Sequence, residues 1–103
     1  VSIVIGSISD YEVMKECSGT LKKFGVPYEL IISSAHRSPE RTKVYMKEAE
    51  AKGAQVFIAA AGMAAHLAGA LASATTKPVI GVPMASGELR GEDALLSTVM
   101  MPA

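Results

Sequence analysis

The sequence has little of several features that mark common protein classes. Its 103 residues include one cysteine and no tryptophan, and its ten basic and ten acidic side chains cancel. One cysteine excludes an internal disulfide, and a balanced charge removes the broad positive field that nucleic-acid or anionic-membrane binding needs. We therefore expect a reducing, cytoplasmic setting, no nucleic-acid partner, and a Cys17 that fills space on a helix rather than a reactive thiol.

Several catalytic and nucleotide-binding motifs are also missing. The chain has no GxGxxG, Walker A or GxSxG sequence, which argues against a dinucleotide, an ATP phosphate tail and a serine hydrolase. Its two histidines, His36 and His66, have no third thiolate, imidazole or paired carboxylate at usable spacing. We expect no metal site.

The segment 56–74 is apolar enough for a hydropathy window to suggest a membrane span. It consists mainly of alanine and glycine, carries His66 near its middle, and is interrupted by Gly62 and Gly69. A buried strand that leads into a helix of small residues explains this pattern better, so we expect no membrane partner.

The residues that are present alternate between strand and helix patterns. Half of them are hydrophobic, which is enough for a core. Ser9 and Glu12 have capping-box spacing for the first helix, and Ser38 with Pro39 gives an N-cap and a first-turn proline for the second. The predicted strands cover 1–5, 28–33, 55–60 and 78–82, and the helices 9–24, 38–53, 64–74 and 91–99. This order predicts one α/β domain over 1–103, with a doubly wound parallel sheet.

Ligands of such sheets bind outside the carboxyl ends of the strands. Four loops meet this condition, at 6–10, 34–37, 62–67 and 83–87.

The first loop offers Gly6, the hydroxyls of Ser7 and Ser9, and free amides at a helix N-terminus, which together suit a phosphate. Asp10 fits two roles, because a carboxylate there can cap the helix or accept hydrogen bonds from ribose hydroxyls. Capping is the more ordinary role for an aspartate at this position.

The second loop, Ser34-Ala35-His36-Arg37, combines a group that titrates near neutral pH with a fixed cation for phosphate. Both side chains could equally lie on an ordinary surface, but their place at a strand end favours function. The third loop, around Gly62 and Ala64, is built of small residues against which a planar ligand can lie. His66 on this apolar stretch is by itself typical of a packed histidine.

Taken together, Gly6-Ser-Ile-Ser-Asp10, Ser34-Ala-His-Arg37, Ala61-Gly-Met-Ala-Ala-His-Leu67 and Gly81-Val-Pro83 resemble the catalytic subunit of phosphoribosylaminoimidazole carboxylase, the N5-carboxyaminoimidazole ribonucleotide mutase family. The resemblance runs the length of the chain. It implies a flavodoxin-like three-layer sandwich with strand order 2-1-3-4 and a fifth strand missing. It also implies a cytoplasmic homo-octamer acting in purine biosynthesis without a cofactor.

The resemblance also implies roles for individual residues. His36 is the catalytic residue that moves the proton, and Ser7, Asp10 and Arg37 bind the nucleotide, with Arg37 toward its phosphate. The full set expected to contact the substrate is Ser7, Ser9, Asp10, Ser34, Ala35, Arg37, Gly62, Ala64, His66 and Leu67.

The implied reaction converts an N5-carboxylated aminoimidazole ribonucleotide into its C4-carboxylated isomer, by decarboxylation, recapture of carbon dioxide and removal of the C4 proton by His36. Arg37 and the run Ala64-Ala65-His66-Leu67 resemble the mutase branch, an isomerase. A carboxylase (lyase) that uses free carbon dioxide is the alternative within the family. A noncatalytic flavodoxin-like module that binds a nucleotide is the alternative outside it.

The sequence departs from the family pattern in two respects. Met63 and Ala68 stand where the mutase loop usually has Gly and Pro, which affects the shape of the pocket. Family members also continue beyond Ala103, so we expect a C-terminally truncated or incomplete form of the family domain.

Overall fold

Four short strands of mostly apolar residues form one parallel sheet in the computed structural model, which describes residues 1–34, 37–62, 66–85 and 89–100. They are β1 (Ser2–Ile5), β2 (Glu29–Ile32), β3 (Phe57–Gly62) and β4 (Val79–Met84). Their order is β2-β1-β3-β4, which confirms the predicted doubly wound, flavodoxin-like class. The chain first runs from β1 to β2 on one side and then crosses to β3 on the other, so the switch point lies between β1 and β3.

In the described parts of the chain, three α-helices and one 3-10 turn connect the strands, and a fourth α-helix follows β4. The turn covers Ile8–Asp10, and the helices are α1 (Tyr11–Lys23), α2 (Pro39–Ala51), α3 (Leu67–Ala72) and α4 (Glu92–Val99). A Cβ built on Gly81 in β4 would lie 2.8 Å from Thr98 Cγ2 and 3.2 Å from Ala68 Cβ. Thr98 of α4 and Ala68 of α3 therefore lie on the same face of the sheet.

The core has two parts, one on each face of the sheet, as alternation along a strand requires. On the face of α2 and α3, Val4 and Phe57 lie with Met46 and Leu71, all fully buried. On the face of α1, the buried side chains are Ile3, Ile5, Met14, Ile58, Ala60 and Met84. Cys17 packs partly buried against this second cluster, and burial raises the pKa of its thiol. A protonated thiol of this kind is a poor nucleophile, in keeping with the expected filling role.

The first helix begins differently from the prediction. Ser7, rather than Ser9, is the N-cap of the 3-10 turn, and Asp10 is the N-cap residue of α1 without a side-chain capping hydrogen bond. Glu12 forms an ion pair with Lys15 at 2.7 Å. The predicted capping box is therefore wrong, because the extra turn moves the N-cap of α1 from Ser9 to Asp10.

Two other element boundaries differ from the prediction. β4 continues to Met84, and Pro83 stands opposite Ala61 of β3. In the described part of the sheet β4 is an edge strand, where a proline removes no hydrogen bond to a neighbouring strand. α3 begins at Leu67 and has six residues, while 63–65 lie outside the described ranges.

The apolar segment 56–74 consists of β3, with six residues, and the equally short α3. In the parts of the chain that the structure describes, none of the helices has the length and apolar character that a membrane crossing requires.

Candidate active site

The carboxyl ends of β1, β2, β3 and β4 all lie at one edge of the parallel sheet, and two cavities open there among the described residues. The first, here called the arginine cavity, has a volume of about 470 Å³. Its lining comprises Gly6, Ser7, Ile8, Ile32, Ser34, Arg37, Ser38 and Arg41. It thus combines residues from the first and second loops with the start of α2, around two guanidinium groups and three hydroxyls.

Hydrogen bonds hold the second loop to the start of α2. The backbone N–H of Arg37 donates to Ser34 Oγ at 3.3 Å, and that of Ser38 donates to the Ser34 carbonyl at 2.9 Å. These bonds close a tight turn that brings Ser34 and Arg37 to the same cavity.

A buried pair of hydroxyls fixes the strand beneath this turn. Ser33 Oγ and Thr42 Oγ1 are 2.7 Å apart, and both residues are buried. Thr42 Oγ1 also donates to the Ser38 carbonyl at 3.1 Å. Since a hydroxyl has only one proton to give, Ser33 is the donor within the pair. The end of β2 is therefore tied to the first turn of α2, which carries Arg41.

The first loop is held by its own serines. Ser7 Oγ accepts from the Ser9 N–H at 3.3 Å and from the Ser9 hydroxyl at 3.0 Å. Both serines are exposed, but only Ser7 lines the arginine cavity. Ser9 lines the second cavity, so the loop turns its two hydroxyl-bearing residues to different sides.

The second cavity, here called the Asp10 cavity, has a volume of about 370 Å³ and a more apolar lining. It is formed by Ser9, Asp10, Val13, Val82, Pro83, Met84 and Ala85. Asp10 is only 8% exposed, and this burial raises the pKa of its carboxyl group, while a backbone hydrogen bond at Ser7 acts in the opposite direction. A carboxylate that does not cap its helix and lies at a cavity is available to accept hydrogen bonds from a ligand.

The third loop is described in part. Gly62 ends β3 opposite Met84, and exposed His66 is the N-cap residue of α3, its carbonyl accepting from the Ala70 N–H at 2.9 Å. Leu67 is 4% exposed and packs in the core with Phe57. None of Gly62, His66 and Leu67 is among the residues that line the two cavities.

Three of the predicted site residues, Ala35, His36 and Ala64, lie outside the described residues. His36 stands in the sequence between Ser34 and Arg37, both of which line the arginine cavity. Its assignment as the proton-transfer residue stays a prediction.

Arg41 is the cavity residue that sequence reasoning missed. It lies in the first turn of α2, four residues after Arg37, which precedes the helix. The available signal was its position, because acidic side chains are the favourable ones at a helix N-terminus and an arginine there is unusual.

Metal ions in proteins are held by clustered His, Cys, Asp or Glu side chains. Within 1–34, 37–62, 66–85 and 89–100, no three His, Cys, Asp or Glu residues are grouped so that they could hold a metal ion. The described side chains at the two cavities supply hydroxyls, guanidinium groups and a carboxylate.

Comparison with known proteins gives one family over the whole chain. The family described as AIR carboxylase matches residues 1–103. A crystal structure of PurE from Treponema denticola superposes with a TM-score of 0.91 at 31% sequence identity, covering 99% of this chain and 65% of that one.

Curated relatives agree with this match. The N5-carboxyaminoimidazole ribonucleotide mutase of Pyrococcus horikoshii is 57% identical over 103 residues, which are 100% of this chain and 58% of the relative. The mutase of the same name from Aquifex aeolicus is 52% identical over 103 residues, or 100% of this chain and 62% of the relative. The chain thus spans about three fifths of the length of these two relatives.

Proposed function

Because the chain belongs to the AIR carboxylase family, we propose that it moves a carboxylate from N5 to C4 of an aminoimidazole ribonucleotide, as a mutase of purine biosynthesis. The observation that carries the proposal is the identity of 57% with a curated mutase along the entire chain. The arginine cavity supports it, because a phosphorylated substrate needs fixed cations and hydroxyls of the kind found there.

In this proposal the substrate lies across the first loop. Its phosphate binds in the arginine cavity to Ser7, Ser34 and Arg37. Ser9 and Asp10 form hydrogen bonds with the ribose hydroxyls. Consecutive residues of this loop line the two cavities, so a ligand that crosses the loop reaches both. The imidazole and the carboxylate then lie toward the third loop, with Ala35, Gly62, Ala64, His66 and Leu67.

The chemistry needs one group that gives and takes a proton. Cleavage of the N5–carboxylate bond releases carbon dioxide and leaves its electron pair on N5, which takes a proton from protonated His36. The C4 carbon then attacks the carbon dioxide, and His36 removes the C4 proton and is restored. Imidazole suits both transfers near neutral pH. Retention of carbon dioxide beside C4 raises its effective concentration, and no cofactor enters the scheme.

Replacement of His36 by Asn tests the catalytic role. Asn keeps hydrogen-bonding capacity but cannot carry the proton, so we expect turnover of the N5-carboxylated ribonucleotide to fall by about 100-fold or more. Binding of aminoimidazole ribonucleotide, measured by calorimetry, should change little. Turnover within a factor of two of the wild type would exclude His36 as the proton carrier.

The second candidate is direct carboxylation of aminoimidazole ribonucleotide by carbon dioxide, which the description of the matched family favours. Initial rates on the two substrates with one preparation separate the reactions. A mutase is faster on the N5-carboxylated substrate at low bicarbonate, whereas a carboxylase is faster on aminoimidazole ribonucleotide as bicarbonate rises.

We also propose a cytoplasmic homo-octamer as the working form. The outer face of α4 supports self-association, because Leu95, Leu96, Val99 and Met100 expose between 48% and 75% of their surface. Light scattering coupled to size-exclusion chromatography tests the assembly. An eightfold multiple of the 10.7 kDa chain mass is expected, and a monomer at every concentration would contradict it.

A further inference from the structure

We propose that Arg41 is a second phosphate-binding cation, and that the Arg37–Arg41 pair makes this site select ligands whose phosphate is a dianion. The inference rests on the proposed function, since it concerns the phosphate end of the same substrate. It adds a residue, and a charge requirement, that sequence reasoning did not assign.

The placement of the two arginines is the first step. Both line the arginine cavity, together with Ser7, Ser34 and Ser38. The second loop supplies Arg37, and the first turn of α2 supplies Arg41, so the two cations come from segments joined by the short turn at Ser38. The Ser33–Thr42 hydrogen bond holds that turn against β2.

The second step concerns charge within the described residues. The ion pairs found there join Lys15 to Glu12 and Lys43 to Glu40, the latter at 3.9 Å, and neither includes Arg37 or Arg41. Glu40 directly precedes Arg41 in the sequence, but its ion pair is with Lys43, three residues further along the helix. Among the described residues, the cavity lining therefore holds two guanidinium charges and no acidic side chain.

The third step is the position of Arg41 on its helix. A cation in the first turn faces the positive end of the helix dipole, which is unfavourable for an empty site. An anion bound beside Arg41 reverses the sign of this interaction. The local disadvantage of arginine at this position is thus removed when a phosphate is bound.

The fourth step matches the two charges to the ligand. A phosphomonoester carries about 1.5 to 2 negative charges at pH 7, because its second pKa is about 6. One guanidinium offsets half of a dianion, and two offset all of it. Guanidinium groups also present forked N–H donors that suit phosphate oxygens, and the serine hydroxyls add further donors.

Calorimetric titration of the full 103-residue chain tests the proposal. The two ligands are 5-aminoimidazole ribonucleotide and the corresponding ribonucleoside, which lacks the phosphate. The variants are Arg41→Gln, Arg41→Lys and, as a matched control, Lys47→Gln, which removes one positive charge from an exposed position of α2 outside the cavity lining. Circular dichroism of each variant verifies that it is folded.

At pH 7.5, we expect Arg41→Gln to bind the ribonucleotide about 10- to 100-fold more weakly than the wild type, and the ribonucleoside equally well. The ribonucleotide affinity of Arg41→Lys should lie between those of the wild type and Arg41→Gln. The affinity of Lys47→Gln should stay within about twofold of the wild type. Between pH 5 and 7.5 the wild type should gain affinity as the phosphate loses its second proton, and Arg41→Gln should gain less.

Ribonucleotide affinity of Arg41→Gln within twofold of Lys47→Gln would overturn the proposal, as would an equal loss for the ribonucleoside. Absence of ribonucleotide binding by the wild-type chain would overturn it too. A failure of the proposed function gives a different result. In that case His36→Asn turns over the substrate as fast as the wild type, while the wild type still binds the ribonucleotide more tightly than the ribonucleoside.

Discussion

The fold alters the acid–base chemistry of Asp10 by burying its carboxyl group. Its carboxyl group is 8% exposed and has a raised pKa, caused mainly by burial, and it does not cap α1. A raised pKa in the folded state means that the charged form is disfavoured there, so ionisation of Asp10 lowers the free energy of unfolding. A buried carboxylate retained at such a cost is typical of a functional site.

Replacement of Asp10 by Asn should therefore stabilise the chain at neutral pH and weaken nucleotide binding. The gain in the free energy of unfolding should be absent below the pKa of Asp10 in the unfolded chain, about 3.8, because the carboxyl group is protonated in both states there. It should grow as the pH rises through the higher pKa of Asp10 in the folded chain. Urea unfolding at pH 3 and pH 7 checks this, with Glu16→Gln on the exposed face of α1 as the control. A gain of equal size at both pH values would show that ionisation of Asp10 is not its cause.

Thr42 lies beneath the site and contributes through hydrogen bonds rather than through ligand contact. Replacement by Val removes the acceptor of the buried Ser33 hydroxyl and leaves that hydroxyl without its partner. We expect a loss of about 1–3 kcal/mol in the free energy of unfolding. Chemical denaturation measures it.

Thr20→Val is the matched control for this substitution. Thr20 Oγ1 donates to the Glu16 carbonyl four residues back, as Thr42 does to Ser38, but in an exposed turn of α1. The control should cost less than about 0.5 kcal/mol. Equal losses for the two threonines would mean that the Ser33–Thr42 pair does not hold β2 to α2.

β4, α3 and α4 pack closely together at Gly81. A Cβ at this position would come within 2.8 Å of Thr98 Cγ2, too close without a shift of α4. Gly81→Ala should therefore lower the free energy of unfolding by about 1–3 kcal/mol, as overpacking does. Thermal or urea unfolding measures the loss.

Two comparisons make the Gly81 prediction specific. Thr98→Ser removes Cγ2 and keeps the hydroxyl that donates to the Ala94 carbonyl, so it should recover part of the loss in the double variant. Gly19→Ala in α1 meets nothing within 4 Å and should stabilise by about 0.5–1 kcal/mol. If Gly81→Ala were as stable as the wild type, the packing of α4 described above would be wrong.

The sequence predicts the presence of the helices and strands more accurately than the residues at which they begin and end. Alternation of strand and helix patterns predicts the sheet, and Gly25 and Gly53, with φ of +69° and +99°, follow the ends of α1 and α2 as helix-ending glycines should. The start of α1 was missed because Ser7 and Ser9 are equally good caps locally. Their hydrogen bonds decide between them, and these depend on the folded loop.

The sequence did not predict that the first loop contributes to two separate cavities, because this too depends on the folded loop. Ser7, Ser9 and Asp10 lie within four residues, and a linear pattern places them in one loop. The 3-10 turn rotates Ser7 toward the arginine cavity and Ser9 with Asp10 toward β4. Arg41 was missed because its contribution depends on the direction of α2 relative to the sheet, which tertiary packing sets.

The molecule as a whole carries no net charge but holds two arginines at one cavity. In the proposed function a phosphorylated ligand is recognised by this local field, which is screened by salt over about 10 Å at 0.1 M ionic strength. We propose that this cavity and His36, which directly precedes Arg37 in the sequence, serve one reaction, transfer of a carboxylate within a single bound ribonucleotide.

Isotope retention tests that claim most directly. The N5-carboxylated ribonucleotide, labelled with carbon-13 in its carboxylate, is converted by the full chain in unlabelled bicarbonate, and the C4-carboxylated product is examined by mass spectrometry. Transfer through carbon dioxide retained in the site predicts a product that keeps most of the label, formed much faster by the wild type than by His36→Asn. An unlabelled product, or no product above the uncatalysed rate, would contradict it.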